Sequence, residues 1–297
     1  MEPFSPEPDE IHPAPVEPQH HGSRRLWDGG RAILFFVFAA LCSLLLGIVL
    51  LPLLKFYGSV VVAEIAGFAL APYLVSRLFD TGWSRWLSPP RVPPEFWVWS
   101  IVAVFAFAVT ESNLPVLLDR LWPIPSSQFE FYRHYLAADS PWEWLLFVLV
   151  AAIIPGVCEE ITFRGLVQTG LRRSFGPKQA IIWTGFLFAI LHLNPWNFLG
   201  LWGFGCLLGY LTERTSSIWP AILVHVLNNA LALVVFAFQS PAQWERPLEF
   251  LPWYATLPAG VFLVIAIWRI HRLRTDPPAP QANTIDRWAD PTPPESP

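Results

Sequence analysis

Cys158-Glu159-Glu160-Ile161-Thr162-Phe163-Arg164-Gly165 closes an apolar run that begins at Trp142 and ends at Val157. The run is long enough to cross a bilayer. Two adjacent carboxylates and a guanidinium at its end are costly there, and charge inside a membrane-length segment marks a functional site by default. Apolar runs of similar length recur along the chain. The chain has 297 residues, 54% hydrophobic and 14% charged, against roughly 25% charged in soluble domains. These features predict an all-α, multi-span membrane protein.

The runs give eight expected helices, about 32–54, 57–78, 96–118, 142–163, 180–193, 196–211, 218–238 and 253–270. The fifth and sixth are short, and Asn194-Pro195 breaks the chain between them. Short or broken helices are tolerated where they line a protein cavity. Residues 1–28 and 275–297 are rich in proline, lack periodicity and read as disordered tails around a single membrane domain, 29–274. His20 and His21 in the first tail read as a solvated pair. The first apolar run lacks a cleavage motif and reads as a retained span. With both ends inside, fifteen of the nineteen Lys and Arg residues fall in inner segments, the pattern of a plasma-membrane protein with cytoplasmic termini. A net charge of −4 gives no nucleic-acid signature. Cys42, Cys158 and Cys206 show no pairing or metal-knuckle spacing.

Within the decisive stretch, adjacent helical residues point about 100° apart, so Glu159 and Glu160 face different ways. Arg164 follows Glu160 by four residues, the favourable order for a helical ion pair. Glu159 is left without a local cation, suited to take a proton from water. Downstream, His225 and Asn229 are four apart and share a helix face. Imidazole can position a water or donate to an oxyanion, and the Asn amide can do the latter. His192 ends Phe188-Ala189-Ile190-Leu191-His192, with Phe188 one turn earlier as a candidate apolar wall. Placing His192 level with the glutamates requires its helix to enter the membrane at Trp183, with 174–182 lying along the surface or running obliquely. Glu159 is expected roughly 8 Å from Arg164, taken as interfacial. Glu64 and Glu111 are expected in the outer half of the membrane, away from this cluster.

Together, Glu159-Glu160-x-x-x-Arg164, Phe188-x-x-x-His192 and His225-x-x-x-Asn229 resemble the CPBP family, which includes the type II CAAX prenyl proteases and the lysostaphin-resistance-like proteins. The resemblance covers about residues 142–238. It implies an intramembrane endopeptidase open to the cytoplasm, acting on a membrane-associated substrate, with a prenylated CAAX-type protein as one branch. By position, it implies that Glu159 activates water, His192 assists, and His225 and Asn229 form the oxyanion site. Glu160, Arg164 and Phe188 would support them. Membrane lipid is the implied surrounding partner. Glu159, His192 and His225 could instead supply three zinc ligands, but no H-E-x-x-H is present, and a glutamate-activated water with no cofactor is the favoured reading. Cys158 as a nucleophile lacks an adjacent base. Two other classes stay open: a transporter using the Glu/His cluster as a proton relay, and a catalytically silent immunity or binding protein on the same fold.

Overall fold

The computed structural model describes residues 27–82, 86–128, 130, 140–237 and 249–275. The ordered elements are helices, with no strand among the described residues. They are α1 (Gly29–Glu64), α2 (Ala71–Leu78), α3 (Pro94–Glu111), α4 (Asn113–Leu121), α5 (Pro141–Phe175), α6 (Pro177–Leu191), α7 (Phe198–Thr215), α8 (Trp219–Ala237) and α9 (Trp253–Arg272).

α1 is two legs. Lys55 adopts φ 56°, which breaks the helix and turns the chain back. Ser43 Oγ on the first leg then donates to the Ala63 carbonyl on the second at 3.2 Å. A Cβ added at Gly67 would come within 2.9 Å of Ser43 Cβ, so the legs close tightly. A π-helical segment, Ile65–Leu70, joins the second leg to α2.

Among the described residues five stretches are long and apolar enough to cross a membrane: Gly29–Leu78, Pro94–Leu121, Pro141–Phe175, Trp219–Ala237 and Trp253–Arg272. Pro177–Leu191 is a shorter apolar helix. Length and composition thus yield a multi-pass membrane protein but do not reach the expected count of eight. Large apolar side chains face outward, among them Leu53 (78% exposed) and Leu78 (70%), as a lipid-facing surface requires.

Trp27 and Asp28, expected in the first tail, are tied into the helices. Trp27 is 2% exposed and donates its Nε1–H to the Leu166 carbonyl at 2.9 Å. Asp28 caps α1 by accepting from the Arg31 N–H at 2.9 Å. His20, His21 and residues 276–297 lie outside the described residues.

Gly176 alone, at φ 82°, separates α5 from α6. Ser174 and Phe175 end α5, and Pro177–Ile182 belong to α6. The two helices form a hairpin. Phe163 and Phe188, nearly equidistant from the turn, meet with ring centroids 5.3 Å apart. α6 and α7 then cross where Gly185 meets Gly205, so closely that a Cβ on Gly205 would lie 2.7 Å from the Gly185 Cα.

α5 and α7 run in register through a repeated pairing. Arg164 Nη2 donates to the Gly205 carbonyl (2.8 Å), Gln168 Nε2 to the Gly209 carbonyl (3.1 Å), and Arg172 Nε pairs with Glu213 (3.0 Å). Each step is one helical turn on both helices. The two glycines leave their carbonyls accessible to the long polar side chains opposite. α8 crosses α5 at another glycine: a Cβ on Gly156 would meet Val226 Cγ2 at 2.7 Å. That contact sets His225 beside the Glu pair.

Candidate active site

The hairpin geometry explains why Glu159 and His192 share a level. Glu159 precedes Gly176 by seventeen residues and His192 follows it by sixteen. At 1.5 Å per residue both lie roughly 25 Å along their arms from the turn. The Arg164 side chain is fully buried within the protein.

Glu160 is the centre of a buried network. Its Oε1 accepts from Arg164 Nη1 at 2.7 Å, the i,i+4 pair expected from spacing, and from His225 Nδ1 at 2.8 Å. Glu160 and Arg164 are 0% exposed and His225 1%. A carboxylate held by a guanidinium accepts only, so His225 donates from Nδ1 and its Nε2 carries the free lone pair in the neutral ring. Arg164 is further stacked over the Phe188 ring, 5.2 Å from guanidinium carbon to centroid.

Glu159 points away from Arg164, as adjacent helical positions require. Its Oε2 lies 4.0 Å from His225 Nε2, is buried, and has no hydrogen-bond partner among the described residues.

His192 caps the end of α6. Its Nδ1 lies 2.8 Å from the Phe188 carbonyl, an acceptor, so Nδ1 carries the proton and Nε2 is free to accept. Phe188, 0% exposed, is the wall between the two histidines, 4.6 Å from the His192 ring and 5.5 Å from that of His225. Phe204 closes the other side of His225 at 5.7 Å.

Glu159 and His192 open onto one cavity of about 730 Å³ between α1, the start of the π segment and the end of α6. Its walls are mainly apolar, including Phe36, Leu44, Phe68 and Ile190. The structure thus brings together Glu159, Glu160, Arg164, Phe188, His192 and His225. Asn229, one turn beyond His225 on α8, is half-buried and makes no hydrogen bond to these side chains. The α5 backbone is π-helical over Ile161–Val167, directly after the Glu pair, a distortion frequent at functional sites.

Sequence reasoning misplaced one residue. Glu64 lines the same cavity as Glu159 and His192, not a distant outer face. The signal was present as a lone acid in an apolar leg. Glu111 lies elsewhere: its Oε2 occupies the notch left by Gly200, beside Asn197, at the start of α7. Among the described residues no three His, Cys, Asp or Glu side chains are spaced to hold a metal ion. Cys158 is buried in the cluster with Phe68 and Leu166, a packing position.

Residues 141–231 match the family model for type II CAAX prenyl endopeptidase, Rce1-like. The match spans α5 through most of α8 and takes in the Glu pair, both histidines and Asn229. No curated protein and no solved structure matches the chain.

Proposed function

Proceeding from residues 141–231 as an Rce1-like domain, we propose that this multi-pass protein is an intramembrane endopeptidase. Its substrate is a membrane-associated protein or peptide of the prenylated CAAX type. The observation that carries the reading is the Glu159 carboxylate: buried, unpartnered at Oε2, 4.0 Å from an oriented histidine, and on the wall of a large apolar cavity.

The chemistry follows from those positions. A water between Glu159 and the histidine Nε2 atoms gives a proton to Glu159 and adds as hydroxide to the scissile carbonyl carbon. The carbonyl π pair moves to oxygen. As the tetrahedral species collapses, the C–N bond breaks, and Glu159 returns its proton to the leaving nitrogen. His192 Nε2 accepts the second hydrogen of the water and fixes its orientation. His225, its ring held through Nδ1 by Glu160, lies on the oxyanion side of the site with Asn229, whose amide donates to the oxyanion. Glu160, Arg164 and Phe188 hold the rings in place. We assign both termini to the cytoplasm, following the inner excess of Lys and Arg.

The test is cleavage of a farnesylated, fluorogenic CAAX-type peptide by purified protein in liposomes. Wild type cuts it; Glu159→Gln inserts and melts like wild type but cuts at least about 10³-fold more slowly. Full cleavage by Glu159→Gln would rule the reading out. A proton flux abolished by Glu159→Gln, with no cleavage by wild type, would favour a relay instead.

A further inference from the structure

Glu64 stands outside the matched segment, on the second leg of α1, one residue before the π-helical turn Ile65–Leu70. It lines the cavity shared by Glu159 and His192. Its Oε2 is buried with no hydrogen-bond partner among the described residues, as is that of Glu159. The elements that carry them are pinned together: Thr162 Oγ1 on α5 donates to the Phe68 carbonyl of the π segment at 2.8 Å. No Lys or Arg lines this cavity. The guanidinium nearest in sequence to Glu159, Arg164, is committed to Glu160 and the Gly205 carbonyl. The first leg offers Ser43 and the second Ser59. α6 offers His192, and α8 offers His225, already held by Glu160.

Two carboxylates in one apolar cavity, with no cation facing them, cannot both be ionised at low cost. One proton stays in the pair. Glu159 has His225 Nε2 nearby, whereas Glu64 shares its cavity with Ser43, Ser59, His192 and apolar walls and has the Cys158 thiol near it.

We infer that Glu64 is a positioning residue of the site: it keeps the proton of a Glu64–Glu159 carboxyl pair and donates it as a hydrogen bond, directly or through water, to Glu159. This rests on the peptidase reading of Glu159. During turnover the Glu64 proton stays on Glu64. The proton that moves comes from the attacking water and leaves on the amine. Glu64 acts through Glu159 by holding that carboxylate ionised and aimed into the cavity.

Two measurements test this. Infrared difference spectra of the protein in liposomes at neutral pH read protonated carboxyls without any substrate. Wild type shows a protonated-carboxyl C=O band that Glu64→Gln removes; an unchanged band overturns the inference. The second is the pH profile of kcat on the farnesylated CAAX-type peptide. Wild type is active with one proton in the pair, so its profile has an acid and an alkaline limb. Glu64→Gln keeps a donor and removes the titration: its acid limb stays and its alkaline limb disappears, with kcat at neutral pH within about threefold of wild type. Glu64→Ala loses the donor: kcat falls about 10- to 100-fold at unchanged KM, and the acid limb moves to higher pH. Equal losses in both variants with unshifted limbs would make Glu64 merely structural and overturn the inference. If Glu159→Gln abolishes cleavage while both Glu64 variants match wild type, the inference alone fails. If Glu159→Gln cleaves normally, the peptidase reading fails first.

Discussion

His225 Nδ1 and Arg164 Nη1 converge on the same oxygen, Oε1 of Glu160, at 2.8 and 2.7 Å. One carboxylate oxygen therefore neutralises a buried guanidinium and fixes the tautomer of a histidine. The two tasks separate experimentally. Glu160→Gln leaves Arg164 as an uncompensated buried charge and destabilises the protein by about 3–5 kcal/mol. Adding Arg164→Met removes that charge and recovers most of the stability. Cleavage does not recover, because an amide, which can turn its NH2 towards Nδ1, no longer fixes the His225 tautomer. The double variant stays about 10²- to 10⁴-fold below wild type in kcat. Thermal melting in detergent and peptide cleavage, measured side by side, check this. Recovery of both together would show that Glu160 serves the fold alone.

Glu159 predicts the opposite pairing of effects. Its Oε2 is buried without a partner, so removing the carboxylate relieves a desolvation cost. Glu159→Gln melts at or above the wild-type temperature while losing cleavage, the trade expected where a site is strained for function. A melting temperature several degrees below wild type would show that this carboxylate is a structural support.

How far the sequence carried this site depended on whether the relevant geometry was local. Glu160 and Arg164 pair across one helical turn, and that is readable from spacing. The opposed directions of Glu159 and Glu160 follow from the same period. The meeting of α5, α6 and α8 is not local, and it was legible only because three short motifs occurred in a known order. Spacing from Arg164 could not tell what faces Glu159 across the bundle, because the Arg164 guanidinium is taken up by Glu160 and a glycine carbonyl. Glu64, nine residues beyond the Lys55 turn, reaches the cavity only because the second leg of α1 folds back. The π segments and the glycine crossings have no sequence period that announces them.

Chelation distinguishes the two chemistries of hydrolysis. Glu159, His192 and His225 are not spaced as a metal site. Cleavage of the farnesylated peptide is expected to persist after prolonged treatment with phenanthroline, at unchanged kcat. Loss of activity restored by stoichiometric Zn²⁺ would sink the glutamate-water mechanism.

Two glycines test whether the helix crossing positions the chemistry. Gly205 offers its carbonyl to Arg164 at 2.8 Å, and a Cβ there would lie 2.7 Å from the backbone of Gly185. Backbone cannot rotate aside as a side chain can, so Gly205→Ala drives α6 and α7 apart. The cost is about 1–3 kcal/mol. The shift also pulls the carbonyl from Arg164 and, through the Phe188 ring, disturbs both histidines, so kcat falls along with stability. Gly165 is the matched control. It directly follows Arg164, yet a Cβ there meets nothing within 4 Å. Gly165→Ala leaves cleavage intact and raises stability by up to about 1 kcal/mol through the helical preference of alanine. Melting curves and kcat for the two variants give the comparison. Equal tolerance at both glycines would mean that the α6–α7 approach does not set the geometry around Arg164.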